Sequence, residues 1–187
     1  ALSMVLPASA GGLDDARSRG KLLVGVKTDF PPFGYLDSAG KPQGFDVDVA
    51  RYLARALFED ESRLELVPVT SGSRIPFLYS EWIDMIVATM TVTEDRKRVL
   101  DFSDPYFSSA SLLLVPAGSP VRGIEDLAGK TVAVLEGSVQ EKDLEQVAPA
   151  TKRVAFKNVD EAVAALRGKK VDALCQDDML VLALERG

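Results

Sequence analysis

Arg96, Asp177 and Ser138 are the side chains of this sequence best placed by their neighbours to hold a small charged molecule. A guanidinium is planar and can grip a carboxylate through two parallel hydrogen bonds. Arg96 stands five residues after Thr91, on the turn that follows an apolar run, so a hydroxyl donor accompanies the cation. By pattern alone Arg96 reads first as a surface residue of the charged stretch Glu94, Asp95, Lys97 and Arg98, and the flanking sequence blocks reverse that reading. Asp177 follows the apolar run Val171-Asp172-Ala173-Leu174-Cys175, at the carboxyl end of a predicted strand, where open α/β sheets bind ligands. Asp178 beside it can cap the last helix, and on pattern either aspartate fits either role. Ser138 lies in Glu136-Gly137-Ser138-Val139, between a strand and a helix, where backbone N–H groups can receive an anion.

Composition removes most catalytic chemistries. The 187 residues contain no histidine and a single cysteine, Cys175, so the usual general base, an internal disulfide and a multi-cysteine metal site are all absent. No cofactor or metal is expected. A net charge of −6, from 28 acidic and 22 basic residues, argues against nucleic acid and against an anionic membrane surface. The first ten residues end in Ala8-Ser9-Ala10, the small-x-small pattern of a secretory cleavage site. They read as the remnant of a signal peptide and point to an extracytoplasmic location. No other apolar run approaches the roughly 20 residues that span a bilayer, so no direct membrane insertion is expected.

Short apolar runs and helical patterns alternate along the chain. Strands are predicted at 22–26, 64–69 and 84–88, with helices over 46–57, where Val49, Leu53, Ala56 and Leu57 share a face, and over 74–80. A second unit repeats the scheme, with strands at 131–135, 153–156 and 171–175 and helices at 139–147 and 159–166. Asn158, with Glu161 three residues on, opens the last of these. Alternation of this kind implies mostly parallel sheets covered by helices. The expected organisation is an N-terminal segment over 1–20, lobe one over 21–110, a crossover over 111–120 with Pro116, Gly118 and Pro120, and lobe two over 121–187.

Four blocks, in order and sensibly spaced, carry a family resemblance. They are Leu23 to Phe33 (LVGVKTDFPPF), Gly44 to Ala50 (GFDVDVA), Thr91 to Arg96 (TVTEDR) and Val99 to Tyr106 (VLDFSDPY). Together they closely resemble the polar amino-acid-binding proteins of ABC importers, solute-binding protein family 3. The resemblance implies a type II periplasmic-binding-protein-like α/β fold, two lobes joined by a hinge, with a free amino acid enclosed between them and delivered to a membrane permease. In that family the residues matching Thr91 and Arg96 hold the α-carboxylate, which Ser138 would join as a donor. Alignment likewise favours Asp177 as partner of the α-ammonium and Asp178 as a cap. A dry cleft must supply both signs of charge to such a zwitterion, because unpaired charges are costly to bury.

The remaining contacts rest on the same resemblance. Asp29 sits on the loop after the first strand, where members touch the ligand, though it could instead cap the Pro-rich turn. Phe33, near Phe30 and Tyr35, could wall the ligand's methylenes or pack in the core. Thr89 is taken with Thr91 as a contact. The run Thr70 to Pro76 resembles the loop with which glutamate- and aspartate-binding members hold a side-chain carboxylate, here through Ser71 and Arg74; Arg74 could also be an exposed helix-start residue. Glu136 and Val139 depart from the family's small residues in their loop. The chain also stops at Gly187, ten residues past Asp177, where members continue back into lobe one. Lobe one is therefore expected to lack its C-terminal part, leaving apolar surface that a second copy could cover if the chain truly ends there. Two alternatives share these motifs: the ligand-sensing domain of a receptor or regulatory protein, and a cyclohexadienyl or arogenate dehydratase, for which Glu136 is the candidate acid.

Overall fold

The computed structural model describes residues 12–185; the Ala8-Ser9-Ala10 motif lies outside them. Helix α1 (Gly12–Arg19) leads into β1 (Leu22–Val26), the central strand of a parallel sheet in the order β5-β1-β6, with β5 at Leu64–Pro68 and β6 at Met85–Ile86. Leu22, Val24 and Val26 point to one face of β1, where they pack on α2 (Phe45–Phe58). Gly25 points the other way, and a Cβ there would lie 2.7 Å from Ile83 Cδ1, so the second face closes only over glycine. A small antiparallel sheet of β2 (Asp29–Phe30), β3 (Gly34–Leu36) and β4 (Pro42–Gln43) fills the loop before α2.

The expected helix face was rotated. Val47, Ala50 and Ala54 are the fully buried apolar residues of α2, whereas Ala56 is exposed and Val49, Leu53 and Leu57 are only partly covered. Small alanines let the helix lie close on the valines of β1, so the closest packing follows the small side chains and not the large ones.

The second sheet runs β7-β10-β8-β9, from β7 (Ser111–Leu114), β8 (Thr131–Leu135), β9 (Lys152–Phe156) and β10 (Ala173–Asp177). Strands β8, β9 and β10 are parallel; β7 runs antiparallel to β10. Ser111 to Leu114, read from the sequence as an apolar strand within the crossover, pairs with β10 as an edge strand, and the segment between α4 (Glu94–Lys97) and β7 leads into it. Alternate residues of β8 serve two cores: Ala133 and Leu135 meet α6 (Val159–Arg167), while Val132 and Val134 meet α5 (Val139–Val147). Burial on both faces is what a parallel sheet requires. Helices α3 (Arg74–Tyr79) and α7 (Asp178–Glu185) complete the fold. Among the described residues no helix is long and apolar enough to cross a membrane.

Candidate functional site

Between the two sheets a narrow cavity gathers residues far apart in the chain. Ser71, Arg74, Thr89, Thr91, Arg96, Ser138 and Asp177 all line it, with Phe30, Val139, Gln140 and Gln176. The elements explain the meeting. Asp177 ends β10 and Ser138 holds the N-cap position of α5 without a side-chain cap bond, both at the carboxyl edge of the second sheet; Thr89 and Thr91 follow β6, and Arg96 lies on α4. The free space within it is about 10 Å³, room for roughly one water, and a larger cavity of about 1040 Å³ adjoins it, sharing Thr89, Thr91, Gln140 and Asp177.

Contacts across the cleft hold the lobes together. Arg96 donates through Nη1 to the Thr91 carbonyl at 2.8 Å and through Nη2 to the Gly137 carbonyl at 3.0 Å, joining α4 to the loop before α5. A Cβ on Gly137 would lie 3.0 Å from Gly72 Cα and 3.1 Å from the Ser71 carbonyl, so this approach also needs its left-handed φ of 72°. Partial burial lowers the Arg96 pKa, yet a guanidinium stays charged at neutral pH. Its fork is engaged by neutral carbonyls, and a carboxylate in their place would make stronger, charge-assisted bonds.

Ser138 Oγ is buried and has no hydrogen-bond partner, the one such side-chain atom among the described residues. A buried hydroxyl without a partner costs about 1–3 kcal/mol, which an acceptor entering the cavity would relieve. Across from it, Asp177 accepts from Gln140 Nε2 at 2.8 Å, and burial holds its carboxyl above the usual range. A cation beside Asp177 would offset that penalty. Asp178 is the first residue of α7 and accepts from the Ser109 hydroxyl and the Met179 amide, each at 2.7 Å.

Three placements differ from expectation. Asp29 lies outside the cavity lining, and its carboxylate accepts from the Val159 amide at 2.9 Å, capping α6 of the opposite lobe rather than its own turn. Phe33 is also outside it, packed edge-on against Phe107 at 4.9 Å and Phe45 at 6.1 Å; Phe30 is the aromatic that lines the cavity. Arg74 is neither exposed nor free: it is 2% accessible and donates to the carbonyls of Ser71 (3.2 Å), Ala88 (2.7 Å) and Thr89 (3.1 Å). It braces the loops that carry the site.

Sequence reasoning missed two residues. Gln140, on the inner face of α5, binds both Asp177 and Ser111 Oγ, and a lone glutamine in a helix gives no sequence signal. Lys27 is 1% exposed, with its Nζ 4.7 Å from the Phe30 ring centroid and no hydrogen-bond or ion-pair partner among the described residues. Burial lowers its pKa to about 8. A lysine directly after the buried strand β1 was the available clue.

Comparison with known proteins extends this geometry. The model of the bacterial extracellular solute-binding proteins, family 3, matches residues 22–174. The glutamine-binding protein of Geobacillus stearothermophilus is 41% identical over 181 residues, covering 96% of this chain and 69% of its own length. The ABC transporter glutamine-binding protein GlnH of Bacillus subtilis is 40% identical over 166 residues, 88% of this chain and 61% of the relative. The chain thus spans roughly two thirds of these relatives. The crystal structure of a cysteine-binding protein from Campylobacter jejuni superposes with a TM-score of 0.90 at 35% identity, covering 94% of this chain and 71% of that one. Two α/β lobes meeting at such a cleft, and a family match reaching from β1 into β10, give one answer: the chain belongs to the bacterial extracellular solute-binding proteins, family 3.

Proposed function

We propose that this chain captures a free α-amino acid between its lobes and presents it, outside the cytoplasm, to the permease of an ABC importer, without changing it chemically. The observation that carries this is the unpartnered, buried Ser138 hydroxyl in a cavity that Arg96 and Asp177 also line. An α-carboxylate would take Arg96, Thr91, Thr89 and Ser138; an α-ammonium would take Asp177. The names of the two curated relatives support a glutamine-like ligand. The dehydratase alternative loses support, because Glu136 is exposed and outside the cavity lining.

An acidic ligand, glutamate or aspartate, is a second reading that a specific observation favours. Lys27 is buried near the cavity without a hydrogen-bond or ion-pair partner among the described residues, and a side-chain carboxylate would pair with a charge that an amide leaves unpaired. A thermal-shift screen of the twenty amino acids tests both readings. A ligand at 100 times its dissociation constant should stabilise the chain by about 2.7 kcal/mol. A flat response to all twenty contradicts the proposal, and the ranking of glutamine against glutamate separates its two forms.

A further inference from the structure

The cleft turn holds its shape through a residue outside the lining of the narrow cavity. Thr89 has φ 47°, a left-handed conformation that is a genuine outlier for a β-branched residue and persists only where its surroundings impose it. From one side Arg74 holds the Ala88 and Thr89 carbonyls. From the other, Asp46 Oδ2 accepts from the Thr89 amide at 2.9 Å. The position of Asp46 in the first turn of α2 accounts for an acid at a helix N-terminus, but not for its geometry. Its side chain is fully buried and turned away from its own helix, and its other oxygen accepts from the Tyr106 hydroxyl at 3.0 Å. Tyr106 belongs to the segment that connects the lobes, between α4 and β7.

We propose that Asp46 is a positioning residue: its carboxylate fixes the turn that presents Thr89 and Thr91 to the ligand, and ties that turn to the connecting segment through Tyr106. This rests on the amino-acid-binding reading of the cavity. Asparagine can keep both contacts, with Oδ1 accepting from the Thr89 amide and Nδ2 donating to the Tyr106 oxygen. Alanine keeps neither. Glycine at position 89 reaches φ 47° without strain, so it removes the need for the restraint.

The test uses calorimetry with L-glutamine and L-glutamate on the 187-residue chain and its variants, with hydrogen exchange of the Thr89 amide measured in ligand-free protein. Asp46→Ala should bind at least tenfold more weakly and exchange the Thr89 amide at least tenfold faster, while Asp46→Asn stays within about threefold on both counts. In a Thr89→Gly background the further loss from Asp46→Ala should fall below about threefold. Equal exchange rates in all three proteins overturn the proposal. So does an Asp46→Asn variant that fails as badly as Asp46→Ala, since the charge itself would then be what matters. A loss of the same size in both backgrounds overturns it too, by assigning Asp46 to the fold alone. If Asp46→Ala does not fold, the asparagine and Thr89→Gly proteins still decide. An unmodified chain that binds neither amino acid overturns the functional reading and the ligand part of this one. Binding indifferent to Asp46→Ala overturns this inference only.

Discussion

Lys27 buries an ammonium over the Phe30 ring with no hydrogen-bond or ion-pair partner among the described residues, and that arrangement costs stability which a ligand can recover. Its pKa is near 8 in the folded chain against 10.5 when exposed, so between those values the unfolded state holds more protons and stability rises with pH. Lys27→Met should therefore raise Tm at pH 7, with the gap to the unmodified chain narrowing as pH climbs through 8; a lowered Tm at pH 7 would contradict the burial argument. If the ligand is acidic, its advantage over the amide should fade across the same rise in pH, as the ammonium loses its proton. Arg96→Ala should cost affinity by tenfold or more with the fold intact, since a desolvated carboxylate loses a charge-assisted partner worth about 2–5 kcal/mol. That Arg96 and Asp177 line one cavity was legible, the first from its block with Thr91 and the second from its place at a strand's carboxyl end. The task of Arg74, expected either to hold a ligand carboxylate or to stand exposed at a helix start, was not legible, because the Ser71, Ala88 and Thr89 carbonyls it braces come together only in the folded chain.

At the scale of elements, a helix start can be capped from another lobe. Asn158 accepts from the Glu161 amide at 2.8 Å, as the sequence pattern predicts, and Asp29 supplies the Val159 amide across the cleft. Helix caps contribute about 0.5–2 kcal/mol, and a cap that exists only with the lobes together contributes to closure. Asp29→Ala should thus weaken ligand binding several-fold through faster dissociation while leaving association nearly unchanged; surface plasmon resonance separates the two, and unchanged dissociation would deny Asp29 a part in closure. The strands at 22–26 and 131–135 and the helix at 139–147 coincide with β1, β8 and α5, since continuous apolar runs and cap residues mark them. Strand β10 begins two residues later than the predicted 171–175 and ends on Asp177, where backbone pairing with β7 carries it past the apolar run. No local pattern reports such long-range pairing.

Across the whole molecule, lobe one contributes Thr89, Thr91, Arg74 and Arg96 to the cavity while lobe two contributes Ser138, Gln140 and Asp177. A guest touching both groups favours the closed form by its difference in affinity between closed and open states. Gly137→Ala should oppose closure, because the added carbon meets Gly72 only when the lobes touch, and small-angle scattering at saturating ligand should then show a larger radius of gyration than the unmodified chain. An identical contraction in both would refute that contact's role. The central claim is that this cleft binds a zwitterion through Arg96 and Asp177. Isothermal titration of the unmodified chain, Arg96→Ala and Asp177→Ala with L-glutamine and L-glutamate tests it most directly. The account predicts saturable one-to-one binding of at least one of the two to the unmodified chain, weakened tenfold or more by each substitution. Saturable binding that survives both substitutions unchanged would contradict it.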